Sequence, residues 1–148
     1  AGAGAALPSQ GPWLEAQAAA AQDADVLLFY GCRRADSDLL YAGDWARLAQ
    51  HQDPSVAVLV ALSQERQSAA GGKQYVTHLI QQHSRRVHRA LVLRGGGVWV
   101  SGRGGRMPRD VRAAIAAALV AEGLQPAEAE AFLAQLVKDK KYIVEAWA

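Results

Sequence analysis

Residues 24–32, ADVLLFYGC, are apolar at nearly every position and close on a glycine and a cysteine. A strand with one face in water alternates apolar and polar residues. A run without alternation needs cover on both faces, the condition of a strand inside a parallel sheet. Residues 54–63, PSVAVLVALS, repeat the pattern behind a proline, and residues 97–102, GVWVSG, give a third run that again ends on glycine.

The stretches between these runs change period. Residues 38–51 place Leu40, Tyr41, Trp45 and Leu48 at roughly helical spacing. Residues 73–83 do the same through Tyr75, Val76, Leu79 and Ile80, and residues 85–94 continue as a helix until Gly95-Gly96-Gly97. Residues 108–123 start on Pro108 and stop at Gly123, a strong helix signature. Residues 125–140 carry acids early and lysines late, as the helix dipole favours. Residues 141–147, KYIVEAW, read as a last short strand or an extended tail, and residues 12–22, PWLEAQAAAAQ, as a leading helix. Strands alternating with helices predict an α/β domain: a three-layer, open, mostly parallel sheet with helices on both faces. Residues 1–11 read as a flexible low-complexity lead-in and 12–148 as one domain, with no internal repeat or domain boundary.

Composition narrows the function classes. A chain of 148 residues, 51% hydrophobic and 20% charged, can bury a core without staples. The net charge is +2 with 14 acidic residues interspersed, which argues against a nucleic-acid surface. Cys32 is the only cysteine, so no internal disulfide forms. No apolar stretch approaches the roughly 20 residues of a membrane span, and the N-terminus lacks the basic region of a signal peptide. The expectation is a soluble cytoplasmic protein with no membrane segment. His51, His78, His83 and His88 lack metal-ligand spacing, so no metal is expected. No nucleophile–His–acid set, P-loop or CxxC is present.

In parallel α/β sheets ligands sit beyond the carboxyl ends of the strands. Three loops qualify: GCRR after the first run, SQERQSAAGGK after the second, and SGRGGRM after the third. All are basic or glycine-rich, which points to an anionic, phosphate-bearing ligand. Ser63, Arg66, Lys73 and Tyr75 suit a ribose 2′-phosphate, which needs a hydroxyl, cations and a ring for the adenine. Glu65 in the same loop is the residue type an NAD site would use, and a solvated polar loop with Tyr75 in the core is the other reading. Gly102, Gly104 and Gly105 precede a helix N-terminus and would let a pyrophosphate approach the backbone. Cys32 reads as a small buried residue rather than a redox thiol.

Four segments in order, LLFYGCRRADSDLLYAGDW, ALSQERQ with KQYVTHLI, VWVSGRGGRMPRDV and KYIVEAWA, resemble the C-terminal NADPH-binding domain of the diflavin reductases. That family includes NADPH–haemoprotein reductases, sulfite reductase flavoproteins and cytosolic diflavin oxidoreductases; GRMPRDV and YIVEAWA look most like the last. The fold implied is that of the ferredoxin–NADP reductase C-terminal domain. The resemblance implies that Ser63, Lys73 and Tyr75 hold the 2′-phosphate and adenosine, with Gln64 in place of a usual arginine and Arg66 as its substitute. Gly31, Cys32 and Arg33 match the loop bordering the nicotinamide and phosphate path. With Gly102, Arg103 and Met107 these make the expected cofactor-binding set. Ser101 replaces a common cysteine beside the hydride-transfer site, Glu145 a common aspartate, and Trp147 matches the aromatic that stacks on the flavin. Ser101, Glu145 and Trp147 are the expected catalytic residues.

The family domain opens with a central strand and a glycine-rich pyrophosphate turn, and residues 12–22 look like the helix that follows them. The resemblance therefore implies an N-terminally incomplete module of a longer reductase. NADPH would deliver hydride to FAD, and FMN bound by the flavin domains of the full-length protein would pass electrons to an iron–sulfur or haem protein acceptor. For the cytosolic branch that acceptor belongs to iron–sulfur cluster assembly. The alternative is a non-catalytic remnant that binds nucleotide or a protein partner.

Overall fold

The computed structural model describes residues 24–50 and 56–148, apart from the side chains of 48–50. The lead-in over 1–11, the helix expected over 12–22, the Leu48 side chain and His51 lie outside the described residues. The chain forms two compact units, one ending at Tyr75 and one starting at Val76.

In the first unit β1 (Val26–Cys32) and β2 (Val56–Leu62) pair in parallel, with Val26 opposite Val56 and Cys32 opposite Leu62. Parallel strands need a crossover, supplied here by α1 (Ala35–Asp38) and α2 (Ala42–Gln50). One face of the ladder, carrying Leu28, Tyr30 and Cys32 with Val58, Val60 and Leu62, packs on Ala35, Leu39 and Trp45. The other face begins a smaller cluster of Leu27, Ala57 and Ala24. β2 is buried from Ala57 onward, as its unalternating sequence requires, whereas β1 is only half-buried. Leu40 and Tyr41, expected on the helix, stand before it in an exposed turn. The turn is closed by Asp44 and Trp45 N–H groups donating to the Tyr41 carbonyl, and the Trp45 indole N–H reaches the Leu40 carbonyl at 2.9 Å. The helical spacing of the apolar residues thus ran one turn past the true helix start.

In the second unit α3 (Val76–Gln82) leads to α4 (Ser84–His88), which opens into a π turn over Arg89–Leu93. β3 (Val98–Arg103) follows, then α5 (Met107–Ala121), α6 (Pro126–Lys138) and β4 (Tyr142–Trp147). β3 and β4 pair in parallel from Val98 opposite Tyr142 to Arg103 opposite Trp147. α5 buries Val111, Ala114, Ile115, Ala118 and Leu119, one stripe of a 3.6-residue period. It stops where Gly123 takes φ +112° and the Leu124 N–H closes back on the Leu119 carbonyl. α6 starts on a capping box in which the Glu128 carboxylate accepts the Gln125 N–H at 2.8 Å.

The α/β class with parallel strands is thus present. The described strands form two separate two-stranded ladders, because each strand pairs only with its partner across one helical crossover. No helix among the described residues is long and apolar enough to cross a membrane. Leu119 and Leu133 are among the largest fully buried side chains. Leu119→Ala should lower unfolding free energy by about 2–5 kcal/mol, and the adjacent, partly exposed Val120→Ala by well under half of that. Chemical denaturation of the two variants checks this.

Candidate functional site

The carboxyl end of the β1–β2 ladder carries the first set of expected residues. Beyond the strands the pairing continues: the Ser63 N–H donates to the Cys32 carbonyl and the Gln64 N–H to the Arg33 carbonyl, both at 3.0 Å. The loops after β1 and β2 therefore leave the sheet side by side. Glu65 ties them together, its carboxylate accepting the Ala35 N–H at 3.0 Å. The acid that could have marked an NAD site is thus engaged at the start of α1. The sequence reading missed this role, which no motif signals.

Loop 63–74 then folds on itself. The Gln74 N–H donates to the Arg66 carbonyl at 3.2 Å, Gln67 and Lys73 form an antiparallel bridge, and the turn closes through Ser68 and Gly72. Residues seven apart in sequence, Arg66 and Lys73, thereby line one open concavity of about 430 Å³ with Ser63, Gln64, Glu65, Gln67 and Gly72. Neither cation has an ion-pair partner among the described residues. The arginines after β1 differ. The Arg34 guanidinium grips Asp36 through two hydrogen bonds at 3.1 and 3.0 Å, which hold the Asp36 carboxyl below the usual carboxylate range. Arg33 lies 3.9 Å from Asp38. Tyr75 is half exposed, not a core residue, and stands outside the concavity lining.

Cys32 is partly buried, its thiol directed at the Arg34 carbonyl at 3.7 Å. Burial first, and then the carboxylates of Asp38 and Glu65, push its pKa up to about 11. A thiol rather than a thiolate occupies this position at neutral pH, as a packing residue and not a nucleophile.

The second set sits on the β3–β4 ladder. Parallel register puts Ser101 opposite Glu145 and Arg103 opposite Trp147. Paired residues share a face and strands lie about 4.8 Å apart, so these four side chains occupy one patch at the carboxyl end of the ladder. All four are exposed, Trp147 at 61%. The terminal residues are a strand and not a loose tail. The Gly104 N–H donates to the Trp147 carbonyl at 2.7 Å, and a Cβ at position 104 would stand 3.1 Å from that oxygen. Gly102 has a similar explanation, since a Cβ there would lie 2.7 Å from Cε of Met107. Of the three loop glycines expected to admit a pyrophosphate, two are thus approached by the chain itself. Only Gly105 faces open space.

A parallel α/β frame with basic, hydroxyl-bearing loops at the carboxyl ends of its strands is the architecture of nicotinamide-dinucleotide-binding domains. The chain belongs to the oxidoreductase NAD-binding domain family, whose description matches residues 1–112. It is similar to the C-terminal NADPH-binding domain of larger reductases. It is 30% identical over 123 residues to NADPH-dependent diflavin oxidoreductase 1 of Cryptococcus neoformans, covering 81% of this chain and 19% of that protein. It is 31% identical over 140 residues to NADPH–cytochrome P450 reductase of Cavia porcellus, covering 92% of this chain and 19% of the relative. Against the human NADPH–cytochrome P450 reductase it is 34% identical over 128 residues, 84% of this chain and 18% of the relative. The chain therefore spans about a fifth of the length of these proteins.

The Cys32 environment gives a direct check. Alkylation of the native chain by iodoacetamide should be slow at neutral pH and accelerate only as pH climbs toward about 11, where the thiolate forms. Rapid alkylation near neutrality would mean an activated cysteine.

Proposed function

We propose that this chain is the NADPH-binding module of a flavin-dependent reductase, in which hydride passes from NADPH to FAD. The observation that carries the reading is the convergence of Ser63, Arg66 and Lys73 on one concavity, with Glu65 turned to the Ala35 backbone. A 2′-phosphate is a compact dianion, and two cations with no ion-pair partner among the described residues, plus a hydroxyl, complement it. An NAD ribose would ask for a carboxylate left free. Arg66 takes the place of the cation that Gln64 does not supply.

On the β3–β4 patch, Ser101 and Glu145 orient and hydrogen-bond the nicotinamide, and the Glu145 carboxylate balances positive charge on it. Trp147 covers the flavin face and excludes water until the nucleotide arrives. Gly31, Cys32 and Arg33 border the path of the nucleotide, with Arg33 exposed to its phosphates. Gly102, Arg103 and Met107 shape the rim beside Trp147. Hydride chemistry itself belongs to the bound cofactors; the protein supplies position, charge and dryness. The proposal extends to the longer protein: FMN held by its flavin domains, a protein electron acceptor, and a cytoplasmic role in iron–sulfur cluster assembly, supported by the resemblance to the diflavin oxidoreductase branch.

Calorimetry with two adenosine nucleotides tests the reading. Binding of 2′,5′-ADP should exceed that of 5′-AMP by tenfold or more, since each charge-assisted hydrogen bond contributes about 1.5–3 kcal/mol. Lys73→Ala should weaken 2′,5′-ADP and leave 5′-AMP unchanged; equal affinities in the parent chain defeat the NADPH assignment.

Trp147 generates a separate expectation. Because its ring is mostly exposed, Trp147→Ala should leave the thermal midpoint unchanged within about a degree or two. In the flavin-loaded, full-length reductase it should let NADH compete better by about 2–10-fold, the range of a stacked aromatic pair worth about 0.5–1.5 kcal/mol. Steady-state kinetics with both nucleotides reads this. Unfolding of the variant with an unchanged NADPH/NADH ratio would assign the ring to the core.

A further inference from the structure

The loop after β2 puts a carboxylate among the groups that suit a phosphate. Residues 63–66 read Ser, Gln, Glu, Arg, and Glu65 lines the same concavity as Ser63, Arg66 and Lys73. A free carboxylate beside a dianion would repel it, since like charges placed together in a binding site are costly. Facing a ribose that carries no phosphate, the same carboxylate would accept the 2′-hydroxyl. Where the Glu65 side chain is held therefore decides which nucleotide the concavity suits.

It is held from outside its own loop. Ala35 opens α1, so its N–H belongs to the first turn and has no carbonyl four residues back within the helix. One residue earlier the Arg34 N–H is served locally, by the Asp38 carboxylate at 3.0 Å. The Ala35 N–H donates to Glu65 Oε1 at 3.0 Å, a partner 30 residues away in sequence. The backbone around the acid is equally fixed, since the Glu65 and Arg66 N–H groups both donate to the Leu62 carbonyl, at 3.2 and 2.9 Å. Arg66 is the foot of the fold-back, its carbonyl accepting the Gln74 N–H, and Lys73 stands on the returning leg, bridged to Gln67. A tie at residue 65 thus acts on both cations at once.

We propose that Glu65 is the positioning residue that sets the nucleotide specificity of this concavity. Held on the Ala35 N–H, it keeps its charge off the ligand and anchors the foot of the fold-back that carries Arg66 and Lys73. Released, it leaves those cations less well placed and offers an unphosphorylated ribose a carboxylate. This role rests on the 2′-phosphate reading of the concavity and goes beyond it, because the acid as well as the cations then governs the choice.

Calorimetry of the full chain and three variants with 2′,5′-ADP and 5′-AMP separates the tie from the charge. Glu65→Gln keeps a side-chain oxygen for the Ala35 N–H and drops the charge, so the preference for 2′,5′-ADP should be retained or rise. Glu65→Asp keeps the charge on a side chain too short to reach that N–H. Its ratio of affinities should fall on the order of tenfold, with 5′-AMP binding undiminished. Ala35→Pro removes the donor and should lower the ratio in the same way. Arg34 before it already has φ −136° and ψ 141°, the extended backbone that a residue preceding proline needs, and the first turn of a helix tolerates proline. Ala35 is buried, so if the proline variant does not fold, the two Glu65 variants decide. Equal weakening of both nucleotides by Glu65→Asp would assign the tie to folding alone. That result, an unchanged ratio in Glu65→Asp, or an equal fall in Glu65→Gln overturns the role of Glu65 while the parent preference stands. Equal affinities in the parent chain would defeat the 2′-phosphate reading itself and this role with it.

Discussion

Parallel pairing is the constraint on which the rest depends. A parallel ladder cannot be closed by a tight turn, so a helical crossover separates its strands in sequence, and both strands end at the same edge. That geometry brings residues 101–103 beside residues 145–147 across two intervening helices. It also lets the loops that follow β1 and β2 leave together, joined by two further backbone hydrogen bonds and the Glu65 carboxylate. Register does the selecting. Shifting β4 by one residue would turn Glu145 and Trp147 to the opposite face from Ser101, because side chains alternate along a strand.

Much of the frame was legible in the sequence because its signals are local. An unalternating apolar run such as 56–62 has few uses other than a covered strand, and the Pro108 and Gly123 limits of α5 follow from backbone chemistry. The start of α2 was misread because Leu40 and Tyr41 fall at helical spacing. Their exposure shows that spacing alone does not tell a buried face from a turn. The separation into two ladders was not legible either, since strand partners are chosen by tertiary contacts that periodicity does not encode.

The candidate site divides in the same way. Residue types in the 63–75 loop pointed to a phosphate, but the fold-back that brings Arg66 to Lys73 is a property of a hairpin turn at Ser68–Gly72. Which acids and bases neutralise each other was also hidden. Arg33 and Arg34 looked as useful as Arg66 and Lys73 until Asp36 and Asp38 were seen beside them. A cation already matched to a carboxylate gains less from a ligand than one facing water alone, so local ion pairing sorts the four more sharply than sequence position does.

A terminal tryptophan is expected to move with a fraying tail, but here the backbone up to Trp147 is a strand with a hydrogen bond beyond its last ladder pair. Moving the tail would break the 2.7 Å bond from Gly104 and unpair Glu145 from Ser101, dismantling the patch to which the ring belongs. Rotation about the side-chain torsions breaks none of these bonds. Exposed side chains change rotamer within nanoseconds, and a 61% exposed ring has room to do so. A ring that uncovers its neighbours must therefore do so by turning in place. The strand fixes where the ring stands, and the energy that displaces it need only exceed the contacts of the ring itself.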